Sequence, residues 1–202
     1  MRYFIIPASL FLAAPVSAKP LVPLAPPVGN AVHSIGAGPR TVPADHPLRG
    51  RIAVEPVAAM PRRVGTLFVS VAKPAEFDTA LKLALEQSGM LAAPQAAPKA
   101  RLHVTWRWLD APAKIGSSAR AKVAVAYELR RIDTGQAIFQ REVTSEARTT
   151  GGRDASLRLR HNARKAIQRN IAAAVICLDL AAYGRAPGDC APGRAEGRIV
   201  SR

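Results

Sequence analysis

Three strand-like runs in succession set the tightest limit on what this chain can fold into. Leu102, Val104, Trp106 and Trp108 alternate with Arg101, His103, Thr105 and Arg107. Val123, Val125, Tyr127 and Leu129 then alternate with Lys122, Ala124, Ala126, Glu128 and Arg130. A side-chain period of two puts each set on its own face, one apolar and one wet. On this reading both tryptophans belong to the apolar face and are core residues, although Trp106 and Trp108 beside Arg101 and Arg107 are also the residue types of a stacking platform. Asp133-Thr134-Gly135 supplies a turn, Gly135 being free to take a positive φ. Ile138, Phe139 and Val143 carry the returning strand, so an antiparallel hairpin is expected.

Upstream the period changes. Phe77, Leu81, Ala84, Leu85 and Ser88 recur at spacings of three and four, which predicts an amphipathic helix. Pro74 and Glu76 suit its first turn, and Gly89 is placed to end it in the left-handed conformation. A second, longer helix is expected from Asp154 to Leu180, with Ala163, Ala166, Ile167, Ile171, Ala174 and Leu178 as its apolar stripe. Ile52, Val54 and Val57 form a short strand-like run, and Thr66 to Val71 reads as an edge strand or a loop pressed on the core. The expected fold class is α+β: a four-stranded, mostly antiparallel sheet with two helices packed on one face. The expected element order is strand-helix-strand-strand-strand-helix, because a half-wet sheet offers amphipathic helices one face to cover.

The ends of the chain have a different character. Arg2, an apolar run from Tyr3 to Val16 and the small residues Val16-Ser17-Ala18 make the three-part pattern of a cleaved secretory leader. The run is shorter than the roughly 20 apolar residues that span a bilayer. Residues 1–18 are therefore read as a signal peptide, 19–49 as a Pro/Gly-rich tether, 50–182 as the α+β domain and 183–202 as a mobile basic tail. Cleavage after Ala18 and a periplasmic or secreted location are expected, with no membrane-spanning segment left afterwards. Cys177 and Cys190 are the only cysteines. In an oxidising compartment such a pair reads as a disulfide, here tying the tail to the end of the last helix.

No catalytic constellation emerges. His33, His46, His103 and His161 are scattered without metal-binding spacing. Glycine-rich phosphate loops and nucleophile elbows are lacking, and Asp110 and Asp133 sit where turn-forming carboxylates are expected. Asn170, inside the last helix's stripe, reads as a buried polar group bonded to a neighbouring loop. Neither a cofactor nor a metal is expected. The formal charge is +15, which favours anionic partners. Arg158, Arg164, Lys165 and Arg169 on the final helix are the candidate anion-binding set, since guanidinium groups pair bidentately with phosphates.

Phe77-x-x-Ala80-Leu81-x-x-Ala84-Leu85-x-x-Ser88-Gly89, the Ala100-to-Asp110 strand, Tyr127-x-Leu129, Asp133-Thr134-Gly135 and a helix carrying Asn162, Ala166, Ile167, Asn170 and Ile171 form a pattern. It resembles a group of small exported proteobacterial proteins whose fold is similar to that of the outer-membrane lipoproteins assisting lipopolysaccharide assembly. The resemblance covers roughly residues 50–180 and rests on structural signatures. It implies a sheet-and-two-helix domain that docks to a partner or a lipid. The lipid-bearing cysteine of those lipoproteins is lacking here. The expected function is that of an exported, non-enzymatic envelope accessory or binding module, with an envelope protein, anionic lipid or lipopolysaccharide as partner. The alternatives are a basic nucleic-acid binder and, third, a small hydrolase.

Overall fold

The computed structural model describes residues 41–61, 64–66, 69–111, 118–150 and 155–185. The expected leader, most of the tether, Cys190 and nearly all of the tail lie outside the described residues.

The expected hairpin is present and long. Strands β4 (Ala100–Asp110), β5 (Ser118–Arg131) and β6 (Ala137–Thr150) form an antiparallel meander. Gly135 takes φ +69° at the tip. There Asp133 Oδ1 accepts the Thr134 N–H at 2.8 Å, the local bond that favours aspartate in turns. Strand β1 (Ile52–Val54) adds to the free edge of β4, giving the order β1-β4-β5-β6.

Two points of the expected architecture need correcting. First, β1 runs parallel to β4, so the sheet is mixed. The chain between the two strands passes through a helix, the crossover that parallel neighbours require. Second, β2 (Val64–Thr66) and β3 (Val69–Ala72) form a separate antiparallel ribbon, so three strands rather than one precede the first helix. Direction and partner are not encoded in runs of three or four apolar residues.

Helix α1 (Pro74–Gln87) opens as its sequence anticipates. Pro74 occupies the first turn, where a missing N–H costs no hydrogen bond, and Glu76 accepts the Lys73 N–H at 3.1 Å. Gly89 closes it at φ +76°, and Met90 N–H folds back to the Leu85 carbonyl at 2.9 Å. Phe77, Ala80, Leu81, Ala84 and Leu85 are its buried residues. Phe77 sets its ring edge-on to Trp106, with centroids 5.8 Å apart.

Helix α2 (Ala155–Ala182) crosses the same side of the sheet. The Tyr127 hydroxyl donates to Asn170 Oδ1 at 2.8 Å, Asn170 Nδ2 donates to the Val143 carbonyl at 2.6 Å, and Ser145 Oγ donates to the Ala166 carbonyl at 2.6 Å. Asn170 is thus a buried, satisfied polar group, as expected, but its partners belong to β5 and β6 rather than to a loop. Tyr127, Asn170 and the core residues Ile167, Ile171 and Leu178 are all fully buried.

Residues 41–49, expected as the end of the tether, pack on the domain. Val42, His46 and Leu48 are buried. Val42 N–H donates to the Ser88 carbonyl at 2.9 Å, and Gly50 N–H to that of Gly89 at 2.8 Å. His46 Nδ1 accepts the Leu48 N–H at 3.1 Å, which leaves Nε2 to donate to Asp179 Oδ1 at 3.0 Å near the end of α2. Pro43 and Pro47 forbid a regular ladder here, but irregular backbone can still bury side chains once its polar groups are paired.

Candidate functional site

Both helices lie on the face of Tyr127, Val125 and Trp106, so among the described residues the opposite sheet face is uncovered. Its character turns on one irregularity in β4. Trp106 pairs with Val125, yet Trp108 pairs with the very next residue of β5, Ala124. Arg107 is therefore an extra residue, a β-bulge. Beyond it every side chain changes face. Leu109 joins Val123 on the helix side, and Trp108 turns outward over Ala124.

The expectation that both tryptophans are core residues is thus half right. Trp106 is 4% exposed and Trp108 43% exposed. The sequence holds one sign of this: Trp108-Leu109 places two apolar residues in succession and breaks the alternation. Around Trp108, β5 contributes the methyl groups of Ala124 and Ala126, with Lys122 next on the same face opposite Asp110. Arg107 reaches across them from β4 to β6, its Nε 3.7 Å from Glu142 Oε2. By register, Thr105 lies opposite Ala126 and Thr144 opposite Ala124.

Each glutamate on this face has a basic partner. Glu55 meets His103 Nδ1 at 2.6 Å and Arg101 at 3.3 Å. Glu128 meets Arg130 at 2.5 Å. Glu146 is shared by Arg120 at 3.2 Å, Lys122 at 3.6 Å and the adjacent Arg148. Partial burial alone would raise the Glu146 pKa, but the hydrogen bond and charge of Arg148, with Arg120 and Lys122, hold it below the usual carboxylate range. The face of β1, β4, β5 and β6 carries six basic side chains (Arg101, Arg107, Arg120, Lys122, Arg130, Arg148). Against them stand four acidic ones (Asp110, Glu128, Glu142, Glu146), with Arg51 and Glu55 just outside the two ends of β1. In a chain of formal charge +15 most of this face's positive charge is offset.

The candidate anion-binding residues of α2 do not converge. Arg164 is only 8% exposed, and its Nη1 donates to the Val71 carbonyl at 2.9 Å and to Glu76 Oε1 at 3.3 Å. It ties α2 to β3 and α1. Arg169 leaves the helix on another side, where its Nη1 donates to the Glu146 carbonyl of β6 at 2.6 Å. The reason is angular: five residues along a helix are about 140° apart in azimuth. Arg158 and Lys165 are half-buried. Lys165 sits one turn from His161, and burial first, then the Lys165 charge, holds the His161 imidazole below its ordinary pKa. Cys177 is buried on α2; its expected partner Cys190 lies outside the described residues.

Among the described residues no group of three or more His, Cys, Asp or Glu side chains could hold a metal ion. Among them, too, no helix is long and apolar enough to cross a membrane.

No protein-family model and no curated protein sequence matches this chain. The fold, however, has solved counterparts. Protein XCC0632 from Xanthomonas campestris, of family DUF330, superposes with a TM-score of 0.56 at 15% identity, over 73% of this chain and 95% of its own. Protein CT253 from Chlamydia trachomatis gives 0.51 at 11%, over 68% and 99%. A minor lipoprotein from Acinetobacter baumannii gives 0.45 at 13%, over 65% and 93%. The architecture is therefore similar to that of a DUF330 protein. At such identities the likeness is one of fold alone.

Proposed function

We propose that this chain is an exported, non-catalytic module of the cell envelope that acts by binding. The observation carrying this reading is the open sheet face, where Trp108 stands exposed on the side opposite both helices. A large aromatic side chain presented by a rigid sheet suits recognition. Each glutamate of that face stands beside a basic neighbour. Export is supported by the pattern from Arg2 to Ala18. The partner is an envelope component. Contact with anionic lipid or lipopolysaccharide would fall to Lys165, because Arg164 and Arg169 hold α2 in place.

Expression of the full chain in a proteobacterial host, followed by fractionation and N-terminal sequencing, tests the address. A periplasmic product beginning at Lys19 is expected, and a cytoplasmic product retaining Met1 overturns it. Capture from envelope extract at low and high salt tests the mode. Partners lost at high salt implicate the basic residues, and partners kept implicate the Trp108 face.

A further inference from the structure

The Trp108 face also narrows what it can bind, and the argument rests on the binding reading above. An exposed indole on a sheet can meet a nucleobase, an acyl chain or a sugar ring. A base arrives with phosphates, and stacking platforms for single strands accordingly line a positively charged groove. This face is instead largely charge-compensated, each of its glutamates standing against a basic neighbour. An acyl chain needs a contiguous apolar patch. Around Trp108 the register neighbours beyond Ala124 and Ala126 are Thr105, Arg107, Asp110, Lys122, Glu142 and Thr144, so no contiguous apolar patch extends from the indole across β5 and β6.

A pyranose has the complementary make-up. Its C–H face is apolar and weakly electropositive, which suits the electron-rich face of an indole. Its hydroxyls lie around the rim, where they both donate and accept. The Arg107–Glu142 pair supplies a planar donor and a planar acceptor at the rim of the ring, and a surface pair of this kind is loosely held and open to new partners. We propose that the Trp108 face is a glycan-binding site that stacks one uncharged pyranose ring on the indole. The hydroxyls of that ring are met by Arg107 and Glu142.

Titration of the purified full chain with neutral hexasaccharides (chitohexaose, cellohexaose and maltohexaose) tests this by intrinsic tryptophan fluorescence. Because Trp106 is buried, the Trp106→Phe variant, if folded, leaves Trp108 as the sole reporter; calorimetry on the unaltered chain gives the same answer without it. Saturable binding of at least one hexasaccharide is expected, little changed by salt. Trp108→Ala is expected to lower affinity by about tenfold or more, Trp108→Tyr to recover part of it, and Glu142→Ala to weaken it less. No binding of any hexasaccharide at millimolar concentration overturns the proposal, and so does binding unaffected by Trp108→Ala. Salt-sensitive binding of single-stranded DNA that is lost in Trp108→Ala would reassign the site to nucleic acid. Export is read separately: a cytoplasmic chain that binds glycan sinks only the envelope reading, and an exported chain that does not sinks only this one.

Discussion

Trp106 and Trp108, separated by a single residue on β4, point to opposite sides of the sheet because Arg107 is bulged out between them. Trp106 meets Phe77 of α1 edge-on at 5.8 Å and is closed off from solvent. Trp108 is turned to the face that no described helix covers. The same side chain at two neighbouring positions therefore answers to different physics. One is held by packing, and the other is kept in spite of a large exposed apolar area.

The pair should respond very differently to truncation. Trp106→Ala opens a cavity against α1 and is expected to lower folding stability by about 3–5 kcal/mol. Trp108→Ala removes a half-exposed ring with no α1 or α2 contact and should change stability by less than about 1 kcal/mol. Denaturant midpoints of the two variants make the comparison. Equal losses would mean that Trp108 is also a core residue.

Tyr127 and Asn170 give a pH-dependent prediction. Burial pushes the Tyr127 phenol far above its ordinary pKa in the folded chain, whereas the unfolded chain ionises it near pH 10. Above that point the unfolded state binds fewer protons than the folded one. Stability is therefore unaffected by this group below pH 10 and falls as pH rises beyond it, by up to about 1.4 kcal/mol per pH unit. Tyr127→Phe should remove that part of the slope, as read from denaturant midpoints between pH 8 and 11.5. Asn170→Leu leaves the phenol without its acceptor and the Val143 carbonyl without its donor. A loss of about 2–4 kcal/mol is expected at neutral pH.

What could be read in the sequence was whatever local chemistry dictates. Pro74 and Gly89 bracket α1, Gly135 takes the left-handed turn, and the apolar stripe of α2 carries Ile167 and Ile171 into the core. The unread features all depend on partners distant in the chain. Arg107 bulges because β4 must register with β5 on both sides of it. Val42, His46 and Leu48 are buried because Ser88 and Asp179 accept polar groups of their segment. Arg164 lies in the charged half of a helical pattern, yet an exposed position there and a buried one bonded to Val71 have the same spacing. The open face followed the same rule: alternation showed that the sheet has a wet side, but not that Trp108 stands on it.

Charge reversal separates the structural arginine of α2 from its more peripheral neighbour. Arg164→Glu would place a carboxylate beside the Val71 carbonyl and Glu76, so a loss of several kcal/mol is expected, in line with breaking a buried charged hydrogen-bond network. Lys165→Glu changes a half-buried position one turn from His161 and should leave the midpoint within about 1 kcal/mol. If α2 contacts anionic lipid, Lys165→Glu should weaken binding to phosphatidylglycerol vesicles in sedimentation assays without unfolding the chain. Vesicle binding unchanged in that variant would remove α2 from the lipid-binding reading.

The cysteine pair completes the set. Cys177 is buried on α2, five residues before the helix ends at Ala182, and the chain's other cysteine is Cys190. A bridge between them would close a loop of about 14 residues and restrict the unfolded chain enough to add roughly 3 kcal/mol in the chain-entropy model. Titration of the denatured, unreduced chain recovered from an oxidising compartment should then find no free thiol. Cys190→Ser should lower the denaturant midpoint of the oxidised protein toward that of the reduced wild type, with little further effect of reductant on the variant. Two titratable thiols per chain, or a midpoint indifferent to both reductant and substitution, would mean that the segment beyond α2 is not covalently tied to it.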